Sequence, residues 1–278
     1  MDSLNNVSLN QFTAILNAGR KGNASDIHLV ANLPPVYRIN GDIITSEWEP
    51  LSRLDLKNLT EKILTEEQLA LFKKEKELCI SYYHEKNGRI RISFYYRIGT
   101  PELSIRLCNL EIQTRKKLGL PEILEVLGKK TSGLIVITGP TGMGKTTTLN
   151  YLIDFINSSR RSKIVSIEDP VEFEHTNKRS IVVQLEIGTD ALSFSKCLRH
   201  TLRLDPDVIC IGEMRDKETI ETALIAAETG HLVITTLHTP SSYGALDRII
   251  SVFGGDRQSQ VGVQLSTVLH GVIAQRLV

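Results

Sequence analysis

The stretch Gly139-Pro-Thr-Gly-Met-Gly-Lys-Thr-Thr-Thr148 sets glycines, one lysine and a run of threonines directly after the apolar run Gly133-Leu-Ile-Val-Ile-Thr138. The spacing is that of a phosphate-binding loop, G-x-x-x-x-G-K-[ST], with Gly139, Gly144, Lys145 and Thr146 at the defining positions. Glycines let backbone N–H groups turn inward around phosphate oxygens. A helix starting at the lysine adds its free N-terminal amides and the positive end of its dipole. Lys145 is placed to reach the β- and γ-phosphates, and the Thr146 hydroxyl to ligate Mg²⁺. The expected nucleotide-binding set is Gly139, Pro140, Thr141, Gly142, Met143, Gly144, Lys145, Thr146 and Thr147. The competing reading is an ordinary glycine-rich turn; strand, loop, lysine and helix in register argue against it.

Phosphate binding alone does not make a hydrolase. A further acid has to serve Mg²⁺, and another group has to activate water. Two acidic stretches follow apolar runs. Val165-Ser-Ile-Glu-Asp-Pro170 places Glu168 and Asp169 where the chain leaves a strand, and Val208-Ile-Cys-Ile-Gly-Glu213 does the same for Glu213. In open α/β sheets ligands bind at the carboxyl ends of strands, so both stretches are expected to converge on the loop. Either acid alone could equally be a helix cap or a surface ion pair. His231 and His238 bracket one more apolar run, about 23 Å apart at roughly 3.3 Å per extended residue, too far to share one metal. Each taken alone reads as a hydrogen-bonding histidine.

The elements that position these groups follow from texture. After residue 131, apolar runs at 134–137, 164–167, 208–211 and 232–236 alternate with helical spacing at 145–158, 192–203, 216–229, 241–252 and 256–276. That alternation predicts a mostly parallel sheet flanked by helices. The first part reads as mixed α and β. Ser8 is expected to cap a helix through about Arg20, and strands are expected near 26–30, 35–39, 78–83, 89–98 and 102–107. Asn40-Gly41 closes the second strand, Asn87-Gly88 marks a hairpin, and 52–76 has helical spacing with many charges. The basic stretch Gln113-Thr-Arg-Lys-Lys-Leu-Gly-Leu-Pro121 reads as a linker. The expected domains are 1–112, a linker at 113–130 and 131–278.

The chain has 278 residues, 41% apolar, with a formal net charge of +1. No global field draws it to nucleic acid or anionic lipid, and no basic segment carries interleaved aromatics, so nucleic acid is not an expected partner. Four cysteines, Cys79, Cys108, Cys197 and Cys210, lie in or near apolar segments without metal-ligand spacing, and are expected to be small buried hydrophobes in a reducing compartment. No leader and no run of about 18 apolar residues is visible, which predicts a cytoplasmic protein.

Taken together, Gly139–Thr146, Ile167-Glu-Asp-Pro170, Ile211-Gly-Glu-Met-Arg-Asp216 and Thr229-Gly-His231 through Leu237-His-Thr239 resemble the Walker A, Asp box, Walker B and His box of the secretion and pilus motor ATPases. Ala24-Ser-Asp-Ile-His-Leu29 resembles that family's N-terminal signature. The resemblance runs from about residue 8 to the end. It implies an α/β fold: an N-terminal PAS-like α+β domain, then a RecA-like P-loop ATPase domain with a mostly parallel sheet. It implies ATP and Mg²⁺ as ligands, ATP held between the domains, a homohexameric ring, and peripheral association with an inner-membrane platform protein. Residue by residue, Glu168 would orient the attacking water, and Thr146 and Glu213 would serve Mg²⁺. His231 and His238 would sense nucleotide state. Arg97 and Arg106 resemble the N-terminal arginines that reach the γ-phosphate; Arg106 registers better, and Arg91 rivals Arg97.

The compact N-terminal part and Gly212-Glu-Met-Arg215 resemble the pilus-retraction branch, with pilus assembly or type II secretion as the alternative. A nucleotide-binding module without significant hydrolysis is the alternative of another class. The chain stops at Leu277-Val278, where the family continues into a helical segment, so a missing C-terminal piece is expected.

Overall fold

A computed structural model describes residues 9–108, 111–255 and 257–277; the expected cap Ser8 lies outside them. The chain divides into two compact units, Met1–Leu110 and Glu111–Val278. Each has its own apolar core.

The first unit opens with α1 (Leu9–Lys21), then β1 (Ala24–Leu29), β2 (Val36–Ile39) and β3 (Asp42–Thr45). Asn40-Gly41 does not end the sheet. Both residues take positive φ, 51° and 94°, and fold a two-residue hairpin that pairs Val36 with Thr45. The span 52–76 splits into α2 (Arg53–Ile63) and α3 (Glu66–Glu75), because each has its own start signal. Ser52 with Asp55, and Thr65 with Gln68, form capping boxes in which side chain and backbone satisfy each other's amides. Then follow β4 (Glu77–His84), β5 (Gly88–Arg97) and β6 (Thr100–Leu107). The six strands pair antiparallel in the order β3-β2-β1-β6-β5-β4.

Strand alternation decides what each face of this sheet carries. Ile90, Ile92 and Phe94 of β5 face the core with Leu103 and Ile105 of β6 and the apolar sides of α1, α2 and α3. The opposite face holds Arg91, Ser93, Ser104 and Arg106. Cys79 falls on this open face and is exposed, which corrects the expectation of a buried thiol.

The second unit contains α4 (Ile123–Gly128), β7 (Gly133–Thr138), α5 (Lys145–Ser159), β8 (Lys163–Glu168), β9 (Ile181–Glu186) and α6 (Phe194–Thr201). It continues through β10 (Val208–Ile211), α7 (Lys217–Glu228), β11 (Leu232–Leu237), α8 (Ser242–Ser251), α9 (Arg257–Val268) and β12 (Leu269–Ala274). Every pairing is parallel, in the order β12-β7-β11-β10-β8-β9. Both faces are covered, so the central strands are mostly apolar. Leu134 and Val136 of β7 pack with α6–α9, while Ile135 and Ile137 pack with α4 and α5. The segment 113–130 is part of this packing through Leu118, Leu120, Leu124 and Leu127.

Like β3 in the first unit and α4 within the expected linker, two strands of this sheet were not expected. β9 is a half-buried edge strand whose Gln184 and Glu186 interrupt the apolar signal. The expected helix 256–276 ends at Val268 and gives way to β12, which extends the sheet beside β7. Leu269-His-Gly-Val-Ile-Ala274 is short and apolar, and pairing with an open strand edge overrides its local ambiguity.

Candidate functional site

The loop 139–144 joins the carboxyl end of β7 to α5. Gly144 is the helix N-cap at φ 76°, and no side chain caps the first turn. The amides of Lys145, Thr146 and Thr147 are therefore open to an anion in the positive field of a helix fifteen residues long. Gly139 is required by a close approach: a Cβ there would stand 2.5 Å from the Gln275 carbonyl oxygen. These features fit a bound phosphate chain.

Lys145 is buried. Its Nζ donates to the carbonyls of Gly139 at 2.7 Å and Pro140 at 2.8 Å, and faces His238 Nδ1 at 3.4 Å. Burial lowers its pKa from the usual lysine value, and the Glu213 carboxylate opposes that shift. An ammonium only donates, so His238 Nδ1 faces it as an acceptor and the ring proton sits on Nε2. That Nε2 meets Glu213 Oε2 at 3.1 Å, and Arg215 holds the other Glu213 oxygen at 2.6 Å. Lys145, His238 and Glu213 thus form one line across the ends of β7, β11 and β10.

Glu168, the last residue of β8, is 2% exposed. Its Oε1 accepts from the Ser166 hydroxyl at 2.7 Å and from Gln184 Nε2 at 3.0 Å. Asp169, the neighbouring candidate, is exposed. His231 stands apart, at the opposite end of β11 from His238, where Nδ1 meets the Ala226 carbonyl at 3.0 Å. Oxygen donors suit Mg²⁺, and Thr146 and Glu213 would supply them. Among the described residues no cluster of three or more histidine, cysteine, aspartate or glutamate side chains could hold a metal.

Within the first unit, Arg106 and Arg91 are direct cross-strand partners on the open face. Arg106 pairs with Asp26 at 3.0 Å. Arg97 lies near the β5–β6 turn, with Nε on both oxygens of the buried Glu102 at 2.8 and 3.0 Å. The register therefore joins Arg106 to Arg91, not to Arg97.

A model of the family described as type II/IV secretion system proteins matches residues 13–278. The chain belongs to that family. It is 39% identical over 266 residues to the type IV pilus retractation ATPase PilT of Pseudomonas aeruginosa, covering 96% of this chain and 77% of PilT. It is 37% identical over 268 residues to the type IV pilus ATPase PilU of the same organism, covering 96% of this chain and 70% of PilU. A crystal structure of the pilus retraction motor PilT with bound ADP superposes with a TM-score of 0.91 at 42% identity, over 95% of this chain and 77% of that one. The mixed α/β architecture, an antiparallel sheet followed by a parallel one, is that of the family's motors.

Three contributors to the site escaped sequence reasoning. Gln275 donates its backbone N–H to the Thr138 carbonyl at 2.8 Å and accepts from the Thr148 hydroxyl at 2.8 Å, so it braces both ends of the loop. Ser166 and Gln184 hold Glu168. Ser166 lies two residues before Glu168 on one strand face, a signal that period-2 spacing offers. Gln184 lies on β9 and Gln275 just past β12, two strands that the sequence did not reveal.

Proposed function

We propose that this protein is a Mg²⁺-dependent ATPase that works as a pilus-retraction motor. The observation that carries the reading is the Lys145–His238–Glu213 line at the mouth of an uncapped helix. Lys145 and the α5 amides neutralise phosphate charge. Thr146 and Glu213 would hold a Mg²⁺ ion, which would supply positive charge against the charge that builds on the phosphates. Glu168 orients a water against the γ-phosphorus. The water oxygen bonds to phosphorus as the bond to the bridging oxygen breaks, ADP leaves, and the water's proton passes to the carboxylate or to phosphate. His238 joins the loop lysine to Glu213, so a change at the phosphates is felt at the ends of β10 and β11.

The retraction assignment is supported by the likeness to PilT over nearly the whole chain and by Met214 within Gly212-Glu-Met-Arg215. A homohexamer on an inner-membrane platform protein, at the cytoplasmic side, completes the proposal. No helix among the described residues is long and apolar enough to cross a membrane.

The test is Mg²⁺-dependent phosphate release by the wild-type chain and by Glu168→Gln. The variant should bind ADP as wild type does and turn over at least about 10³-fold more slowly. Retained turnover removes Glu168 from the mechanism. Tight ATP binding without any wild-type turnover supports a binding module instead.

A further inference from the structure

Glu168 ends a line of hydrogen bonds that begins on the P-loop helix, and Gln184 is its last link. Gln184 Oε1 accepts the backbone N–H of His175 at 2.9 Å, and Nε2 donates to the Phe173 carbonyl at 2.7 Å. A backbone N–H only donates and a carbonyl only accepts, so this amide cannot turn over. Nε2 is thereby aimed at Glu168 Oε1, 3.0 Å away, beside the Ser166 hydroxyl on the same oxygen. Two donors on one oxygen fix the plane and rotamer of the carboxylate.

The line continues through His175, which is buried. Its ring Nε2 meets Asn150 Oδ1 at 2.7 Å, and Asn150 Nδ2 donates to the Thr146 carbonyl at 2.9 Å. With the Asn150 nitrogen committed, its oxygen accepts, so the His175 proton is on Nε2. His175 Nδ1 is buried and has no hydrogen-bond partner among the described residues. Desolvation lowers the pKa to about 4, so the ring is neutral. Asn150 sits four residues after Thr146, one turn along α5. A shift of the first turn of α5 is thus passed to the loop that holds Gln184.

We propose that Gln184 is the positioning residue of Glu168, and that Asn150 and His175 tie the rotamer of this glutamate to the first turn of the P-loop helix. The inference rests on the reading of Glu168 as the group that orients water. A structural role alone would hold the 170–180 loop and leave the carboxylate indifferent.

The test is Gln184→Met, which keeps length and removes both the amide oxygen and the amide nitrogen. The expected result is a kcat lowered by on the order of 10²-fold, with the KM for ATP and the affinity for ADP changed by less than about twofold. In a Glu168→Gln background the same substitution should cost nothing further, measured by single turnover of labelled ATP, because its effect passes through that carboxylate. Ser166→Ala removes the second donor without touching the loop and carries the same expected signature should Gln184→Met fail to fold. A wild-type kcat, or a loss that returns in full beside Glu168→Gln, overturns the inference. Full turnover by Glu168→Gln alone overturns instead the role of Glu168. A crystal structure of Gln184→Met decides independently of turnover: displacement of the Glu168 side chain from Ser166 supports the proposal, and an unchanged single rotamer defeats it.

Discussion

Lys145 is a cation stripped of most of its water and held by two loop carbonyls and an imidazole nitrogen. Desolvation without a directly bonded carboxylate leaves it short of negative charge, which phosphate oxygens supply. Lys145→Ala should weaken ADP binding by about 2–3 kcal/mol, or roughly 30- to 150-fold, read by titration calorimetry. His175 makes a prediction of opposite character. Its pKa is lowered to about 4 in the fold, against 6.5 unperturbed. The unfolded chain therefore binds the proton more readily, and acid favours unfolding. Its contribution to stability is intact above pH 6.5, declines as pH falls, and levels off below about 4. The total is on the order of 3 kcal/mol. A His175→Leu variant should show a correspondingly flatter fall of unfolding midpoint across that window.

At the scale of elements, the site depends on β12 as much as on the loop it braces. The Gln275 backbone closes onto Gly139, where a Cβ would meet its carbonyl oxygen at 2.5 Å. That oxygen belongs to backbone held by the Thr138 pairing, so it cannot move cheaply. Gly139 also has φ 155°, which L side chains rarely adopt. Gly139→Ala should destabilise the protein by about 2 kcal/mol or more, read as a lower urea midpoint at unchanged m. Nucleotide binding should fall with it, since loop and strand end are displaced together. The legibility of the elements follows their burial. β7, β8, β10 and β11 are covered on both faces, and their continuous apolar runs announce them. β9 and β12 lie at sheet edges, where a mixed pattern suffices, and both were missed.

For the whole molecule, Lys145, Glu168, Glu213 and His238 lie at the carboxyl end of one parallel sheet within one unit. The proposed ring adds a requirement that a single chain does not meet. Phosphate release per subunit should then rise steeply with protein concentration, in step with hexamer formation measured by analytical ultracentrifugation. Constant specific activity at concentrations where the protein is monomeric would remove the ring from the mechanism. The antiparallel sheet of the first unit belongs to the same accounting, because Arg91 and Arg106 stand side by side there. Like charges placed directly opposite cost stability, and Asp26 offsets that cost by pairing with Arg106 at 3.0 Å.

The sequence by itself determined the glycine-lysine-threonine spacing of the loop, the placing of the two acids at strand ends, the alternation of strand and helix, and the family. Those signals are local: glycine torsions, a lysine at fixed spacing, and runs long enough to show their period. Tertiary structure alone decided that His238 rather than His231 joins Lys145, because the two lie at opposite ends of β11. It decided that Arg91, not Arg97, stands beside Arg106, because antiparallel register selects cross-strand partners and Glu102 claims Arg97. It also decided that Gln184 and Gln275 belong to the site. A glutamine has no spacing rule of its own, and its role exists only once two distant strands bring a donor to one oxygen and an acceptor to another.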